Sequence, residues 1–262
     1  MKIAVCIKQV PGTKDVDIDP KTGVLMRSGV RSKMNPYDLF AIETAMRLKT
    51  RMCAEVTALT MGPPQAESVI REAYMMGVDN GYILTDRKFA GSDVLATSYT
   101  LAEGLAKLGE FQLIICGKQT TDGDTAQVGP AMAEHLGIPH VSWVSKIVEI
   151  DESGIVVEQN MEESYEVVRI EYPCLITVNK DIYTPRLPSY VEMKKTGERP
   201  VNVLNYTSFD GKGAERFGLS GSPTQVEKVF RPENNPERVV WEGNDSENTE
   251  KLFNLLKEKK FI

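Results

Sequence analysis

The feature that most constrains this chain is an alternation over its first 140 residues, in which short, nearly continuous apolar runs are separated by segments of helical period. The runs at 2–9, 56–61, 82–85 and 113–116 are too short for helices and lack polar alternation, so they read as strands buried on both faces. Between them, Asn35 as N-cap with Pro36 at the first helical position starts a helix running to about 49. Leu39, Ile42, Ala45, Met46 and Leu48 form its apolar side. Gly62-Pro63-Pro64 opens a second helix through 76, closed by Gly77. Residues 93–108 form a third, and 125–136 a fourth that ends at Gly137. Repeated strand–helix units of this kind predict an α/β fold, a mostly parallel, doubly wound sheet with helices on both faces.

After Pro139 the pattern changes. Residues 141–150, 155–159 and 167–170 are β-rich, with Asp151-Glu-Ser-Gly154 as a hairpin turn, and 175–178 is another buried-type strand. A turn is expected at 19–23, through Asp19-Pro20 and Gly23. Beyond Tyr183, prolines, glycines and charges leave apolar residues too sparse for a second core. Only 247–259 has helical character, with Leu252, Phe253, Leu255 and Leu256 on one side. The division expected is a nucleotide-binding α/β domain over 1–183 and an extended C-terminal arm over 184–262. That arm either wraps a partner chain or folds back on its own domain.

Composition enters as exclusion. A formal net charge of −6 is the wrong sign for a protein that gains its affinity from a nucleic-acid backbone. No apolar run approaches the roughly 18–20 residues a membrane span needs, and the opening residues read as a strand and not as a leader. Cys6, Cys53, Cys116 and Cys174 form no CxxC pair and read as free thiols of a reducing cytoplasm. His135 and His140 have no companions at metal-ligand spacing, and neither has a nucleophile partner; a GxSxG elbow and an HExxH pair are both missing. A chain that offers so little acid–base chemistry reads as a carrier or sensor whose cofactor does the hard step.

Ligands of open parallel sheets lie beyond the carboxyl ends of the strands. Three segments share that location: 6–11, 61–63 and 117–130. The last, Gly117-Lys-Gln-Thr-Thr-Asp-Gly-Asp-Thr-Ala-Gln-Val-Gly-Pro130, follows an apolar strand and leads into a helix whose exposed N–H groups suit a phosphate. Gly123 is the residue expected to permit its sharp turn. Neither GxxxxGK[ST] nor a GxGxxG after the first strand is present, and Asp122 and Asp124 repel a phosphate unless they point elsewhere. On spacing alone three readings fit: a nucleotide site, a metal-assisted site on the two aspartates, or helix-cap chemistry.

The runs IAVCIKQVPGT near the start, SKMNPYDLFAIETAMRLK at 32–49, TMGPPQAESVIREAYMMGVD at 60–79 and GKQTTDGDTAQVGP at 117–130 together resemble the β (small) subunit of electron transfer flavoproteins. TPRLPSYVEMKK at 184–195 is similar to that family's recognition loop. The resemblance implies an adenine-nucleotide-binding, Rossmann-like domain in a heterodimer with a larger α subunit that carries an FAD. The β-subunit site takes AMP in simple electron carriers and a second FAD in the electron-bifurcating branch. Asp-Gly-Asp-Thr-Ala-Gln-Val-Gly-Pro at 122–130 and the segment 86–97 look like the bifurcating type, which points to FAD, with AMP as the alternative.

Carried over by position, the AMP-moiety contacts fall on Cys6, on Asn35, Pro36, Tyr37 and Asp38, and on Met61. They continue along the loop through Gly117, Lys118, Gln119, Thr120, Thr121, Asp122, Gly123, Asp124, Thr125, Ala126, Gln127 and Val128. The flavin end of FAD is expected near Phe89, Asp93 and Thr97; Val94 stands where related bifurcating sequences often have Thr, which removes a hydroxyl contact. NAD(H) would exchange hydride there. The partners implied are the α subunit, ferredoxin or flavodoxin, and an acyl-CoA or 2-hydroxy-acid dehydrogenase. The dehydrogenase anchor falls on Tyr190, in place of the usual aliphatic residue, or one slip away on Leu187. Two other readings stand beside this one: a stand-alone nucleotide sensor of the universal-stress type, and a structural subunit with a vestigial site.

Overall fold

The computed structural model describes residues 1–12, 32–209, 211–227 and 239–262. The turn expected at 19–23 lies outside them. The chain divides into two compact units, Met1–Glu227 and Lys228–Ile262.

The first unit is built on a nine-stranded sheet of order β11-β5-β4-β1-β6-β10-β7-β8-β9. Its strands are β1 (Lys2–Cys6), β4 (Glu55–Met61), β5 (Asn80–Leu84), β6 (Leu113–Gly117), β7 (His140–Ile150), β8 (Gly154–Asn160), β9 (Tyr165–Glu171), β10 (Cys174–Val178) and β11 (Asn202–Leu204). A separate two-stranded antiparallel ribbon joins β2 (Gln9–Pro11) to β3 (Ser32–Met34). The strands from β11 to β7 pair in parallel, while β7, β8 and β9 form an antiparallel meander around the 151–154 turn.

Helices α1 (Pro36–Met52) and α2 (Glu67–Met75) cover one face; α3 (Val94–Leu108) and α4 (Val128–Leu136) cover the other. Strand residues alternate between the two core layers. Ile3, Val5, Val56, Ala58, Leu113, Ile115 and Ile176 face α1 and α2, whereas Ala4, Cys6, Leu59, Ile114, Cys116 and Leu175 face α3 and α4. Burial on both faces is why these strands are continuous apolar runs rather than alternating ones. The doubly wound α/β fold read from the alternation is the fold observed.

Several boundaries differ, each for a local reason. The run at 2–9 splits after Cys6, because Lys8 turns its amide N–H to the Asp38 carboxylate, 2.7 Å away, and leaves the ladder. Spacing starts the fourth helix at Thr125. It starts at Val128 because Asp124 (φ 53) and Ala126 (φ 55) occupy the left-handed region. After Gly62-Pro63 the chain makes a single 3₁₀ turn, Pro64–Ala66, before α2.

The largest difference is at residue 184, where the arm is expected to begin. Residues 184–227 lie within the first unit. Helix α5 (Tyr190–Thr196) packs on α2, and β11 adds to the β5 edge of the sheet. Phe209 and Phe217 are buried with Phe89 and Tyr99, at ring-centroid separations of 5.2–6.0 Å. Apolar residues sparse in sequence are thus gathered onto an existing core instead of forming a second one. In the second unit, α6 (Asp245–Glu258) is capped by the Asn244 side chain and exposes Leu252, Phe253 and Leu255. Among the described residues no helix is long and apolar enough to cross a membrane.

Candidate functional site

Strand order reverses between β1 and β6: the chain winds from β1 outward to β4 and β5, then returns to place β6 on the other side of β1. Parallel sheets open a crevice at such a point, beyond the carboxyl ends of the two strands. Here those ends are Cys6 and Cys116-Gly117, with Cys6 and Cys116 in register. Both cysteines are buried. A hydrogen bond with Cys6, and then burial, push the Cys116 thiol well above its ordinary range.

The crevice floor comes from the start of α1. Asn35 is its N-cap, but its side chain makes no cap hydrogen bond. Fully buried, it donates through Nδ2 to Asp38 Oδ1 and to the Gln119 carbonyl, both at 2.9 Å, and accepts the Thr121 amide N–H at 3.3 Å. Asp38 is buried beside it. Burial pushes its carboxyl up to about 7 against the pull of the donors from Asn35 and Lys8. Gly117 must be glycine for close approach: a Cβ there would meet Asp38 Oδ1 at 2.5 Å and the Tyr37 carbonyl carbon at 2.8 Å. Gly129 is similar, since a Cβ would lie 2.6 Å from Thr177 Cγ2.

The loop above this floor is tied down by its own charges. Lys8 Nζ donates to both Asp122 oxygens at 2.8 Å. Desolvation raises the Asp122 carboxyl, but the Lys8 hydrogen bond and charge outweigh it and hold the group below its usual range. Asp124 accepts from the Gln119 side-chain amide, and its own backbone N–H closes a turn onto the Thr120 carbonyl at 2.9 Å. The two aspartates therefore take separate partners. Lys118 donates its backbone N–H to the Val178 carbonyl and lays its ammonium 4.2 Å from the Trp143 ring centre. Beyond it a polar cleft of about 410 Å³ is lined by residues including Tyr37, Lys118, Asn179 and Lys180.

The strain in this loop sits one step past the glycine expected to carry it. Gly123 does not adopt a positive φ, whereas Asp124 and Ala126 do. Ala126 at φ 55 is followed by Gln127 at φ −108, ψ −22, a left-then-right pair that turns successive N–H groups to one side and forms a small concave anion seat. Gln127 gives α4 no side-chain cap. The amides of residues 125–129 have no acceptor among the described residues. This donor set fits a phosphate or pyrophosphate: unpaired backbone N–H groups, the positive end of a helix dipole, and neighbouring carboxylates already engaged.

The sequence-derived site residues fall into three groups. Cys6, Asn35 to Asp38 and Gly117 to Val128 converge at the crevice, with Met61 at the end of β4 on the same edge. Asn35 and Asp38 have their polar atoms occupied within the protein, which makes them supports of the loop. Asp93 caps α3, accepting the Ala96 amide N–H, and also takes the Thr224 amide and hydroxyl. Thr97 is half-buried one turn on. Phe89 is only 4% exposed and packs against Phe209 and Phe217, so its ring face is not offered to a ligand. Leu187 and Tyr190 are 88% and 65% exposed, on the approach to and first residue of α5. Lys8 was missed; only its partner across 114 residues marks it.

Comparison with known proteins agrees along the whole chain. The family profile described as "Electron transfer flavoprotein domain" matches residues 22–208. The chain is 44% identical over 233 residues to the caffeyl-CoA reductase-Etf complex subunit CarD of Acetobacterium woodii, covering 88% of each chain. It is 42% identical over 262 residues to the electron transfer flavoprotein subunit beta of Clostridium acetobutylicum, covering 100% of both. It is also 42% identical over 246 residues to Protein FixA of Azorhizobium caulinodans, covering 92% of this chain and 88% of that one.

Proposed function

The chain belongs to the electron transfer flavoprotein β-subunit family, and from that premise we propose that it serves an electron-bifurcating complex and holds FAD on the 117–128 loop. The observation that carries this reading is the row of amides at 125–129 that find no acceptor among the described residues, set at the sheet's crossover and framed by Lys8, Asn35 and Asp38. These N–H groups would receive the pyrophosphate. Gly117 and the start of α1 would line the adenosine end with Met61 and Cys6. Thr97 and the backbone at Asp93 would face the flavin end.

A flavin bound there would supply hydride exchange with NAD(H) and single-electron delivery; the acceptors proposed are ferredoxin or flavodoxin and, by way of the α subunit, an acyl-CoA or 2-hydroxy-acid dehydrogenase. This chain's own part is to bind and orient. Among the described residues the carboxylates at the crevice, Asp38, Asp122 and Asp124, are engaged by protein donors. The exposed Leu187, before α5, and Tyr190, its first residue, are the anchor proposed for the dehydrogenase, because large exposed side chains bury much area on docking. The likeness to a subunit of a caffeyl-CoA reductase-Etf complex supports the bifurcating type, as does the 122–130 pattern.

The second reading is a simple carrier subunit with AMP. One observation favours it: Phe89, expected beside the flavin, is closed inside an aromatic cluster. Denaturing the purified αβ heterodimer and quantifying the released nucleotides separates the two. Two FAD per heterodimer supports the bifurcating reading, and one FAD with one AMP sinks it.

A further inference from the structure

We propose that Lys8 is a positioning residue of the nucleotide loop: it neutralises Asp122 and pins the loop from one side while Asn35 pins it from the other, so that the 125–129 amides are in place before a nucleotide arrives. This rests on the preceding reading only in that the loop holds a nucleotide, whether FAD or AMP.

The backbone of Lys8 is fixed at both ends by the start of α1. Its N–H donates to Asp38 Oδ2 at 2.7 Å, and its carbonyl accepts the Asn35 N–H at 2.8 Å. From that fixed base its ammonium meets both Asp122 oxygens at 2.8 Å, with side-chain exposures of 43% and 28%. An ion pair this open to solvent adds little to global stability. Its effect is local. Without the ammonium, the Asp122 charge stands free a few residues from the anion seat and opposes the phosphate. The loop then keeps the Asn35 contacts to Gln119 and Thr121 and the Lys118 N–H to the Val178 carbonyl, but loses its side-chain tie at Asp122. Two of the three ammonium donors are taken by the Asp122 oxygens, so Lys8 acts chiefly through the aspartate.

The test uses the αβ heterodimer with K8M, K8R and the double variant K8M/D122N. Nucleotide retained after buffer exchange is read by mass spectrometry, and amide hydrogen exchange over 118–127 is read on nucleotide-stripped heterodimer. K8M is expected to lose nucleotide about ten-fold faster and to exchange faster across the loop, K8R to resemble wild type, and K8M/D122N to recover part of the retention, because the opposing charge has gone while the tether is still missing. A double variant no better than K8M overturns the proposal, as does K8M with unchanged loop exchange or unchanged retention. The same spectra identify the nucleotide as FAD or AMP, so failure of the bifurcating reading remains distinct from failure of the Lys8 role.

Discussion

Arg186 reaches Glu43 from both backbone and side chain: its amide N–H at 3.1 Å, Nε at 2.7 Å and Nη2 at 3.4 Å. Glu43 is buried on α1 and also accepts from Arg47 at 3.0 Å, so one carboxylate ties the 184–190 segment to the domain. Desolvation raises this carboxyl, but the hydrogen bonds from Arg186 and Arg47 outweigh it and leave it below its ordinary 4.5. A depressed acid contributes stability above its unfolded value and loses it as pH falls through the folded one. E43Q is therefore expected to cost about 1–3 kcal/mol at pH 7 in urea unfolding. The gap from wild type should narrow as pH falls below the ordinary 4.5 and through the lower folded value.

Asp38 titrates in the opposite sense. Its folded value near 7 lies above the ordinary 3.8, so folding takes up about one proton between those limits and wild-type stability falls as pH rises through the window. D38N lacks this linkage. Its urea midpoint, relative to wild type, should therefore improve from pH 5 to pH 8. Parallel pH profiles would show that the buried carboxyl keeps its charge at acid pH.

The loop strain yields a paired expectation. Replacing Gly123 by Ala should change little, because the added Cβ meets only Thr120 Oγ1, at 3.5 Å, and no positive φ is required. A126V should cost about 1–2 kcal/mol and lower nucleotide content, since a β-branched residue resists the left-handed region. A126G should retain nucleotide. Thermal melts with nucleotide assay on the three variants decide the point, and a G123A that behaves like A126V counts against it.

The aromatic cluster tests where the first unit ends. Phe217 is 1% exposed, and F217A should cost about 3–5 kcal/mol. A chain cut after 183 should fail to fold cooperatively because Phe89 and Tyr99 lose their cover. A chain cut after 227 should melt as one transition. Circular dichroism melts of the two truncations would show it.

At the exposed anchor the balance is reversed. L187A and Y190A should leave the unfolding free energy within about 0.5 kcal/mol of wild type, as surface substitutions do. Electron delivery to the cognate dehydrogenase should fall, while NADH-dependent flavin reduction stays unchanged. Loss of both activities together would assign these residues to folding instead.

Much of this was legible in sequence because parallel strands buried on both faces leave continuous apolar runs. Asn35-Pro36 marked the start of α1 for the same reason of local chemistry. What the Asn35 side chain does was not legible, since its acceptor at Gln119 lies 84 residues away. Gly123 drew attention as the residue able to turn, yet tertiary ties at Lys8 and Asn35 shift the turning to Asp124 and Ala126. Phe89 was expected beside the flavin from the likeness of 86–97 to the bifurcating type; that Phe209 and Phe217 enclose it was not legible, since they come from a segment whose composition resembles a loose tail. Each miss is a long-range contact that no local period records.

The placement of β11 against β5 has a consequence for synthesis. Asn202 donates to the carbonyl of Gly81 across 121 positions of chain, so a growing polypeptide on the ribosome carries β5 as a bare sheet margin until nearly all of the first unit has emerged. Such an open margin is a template for pairing with neighbouring chains. Contacts this distant also form slowly. Nascent chains of this protein should therefore depend on chaperone cover late in translation, and an arrest between 183 and 204 should leave an aggregation-prone intermediate.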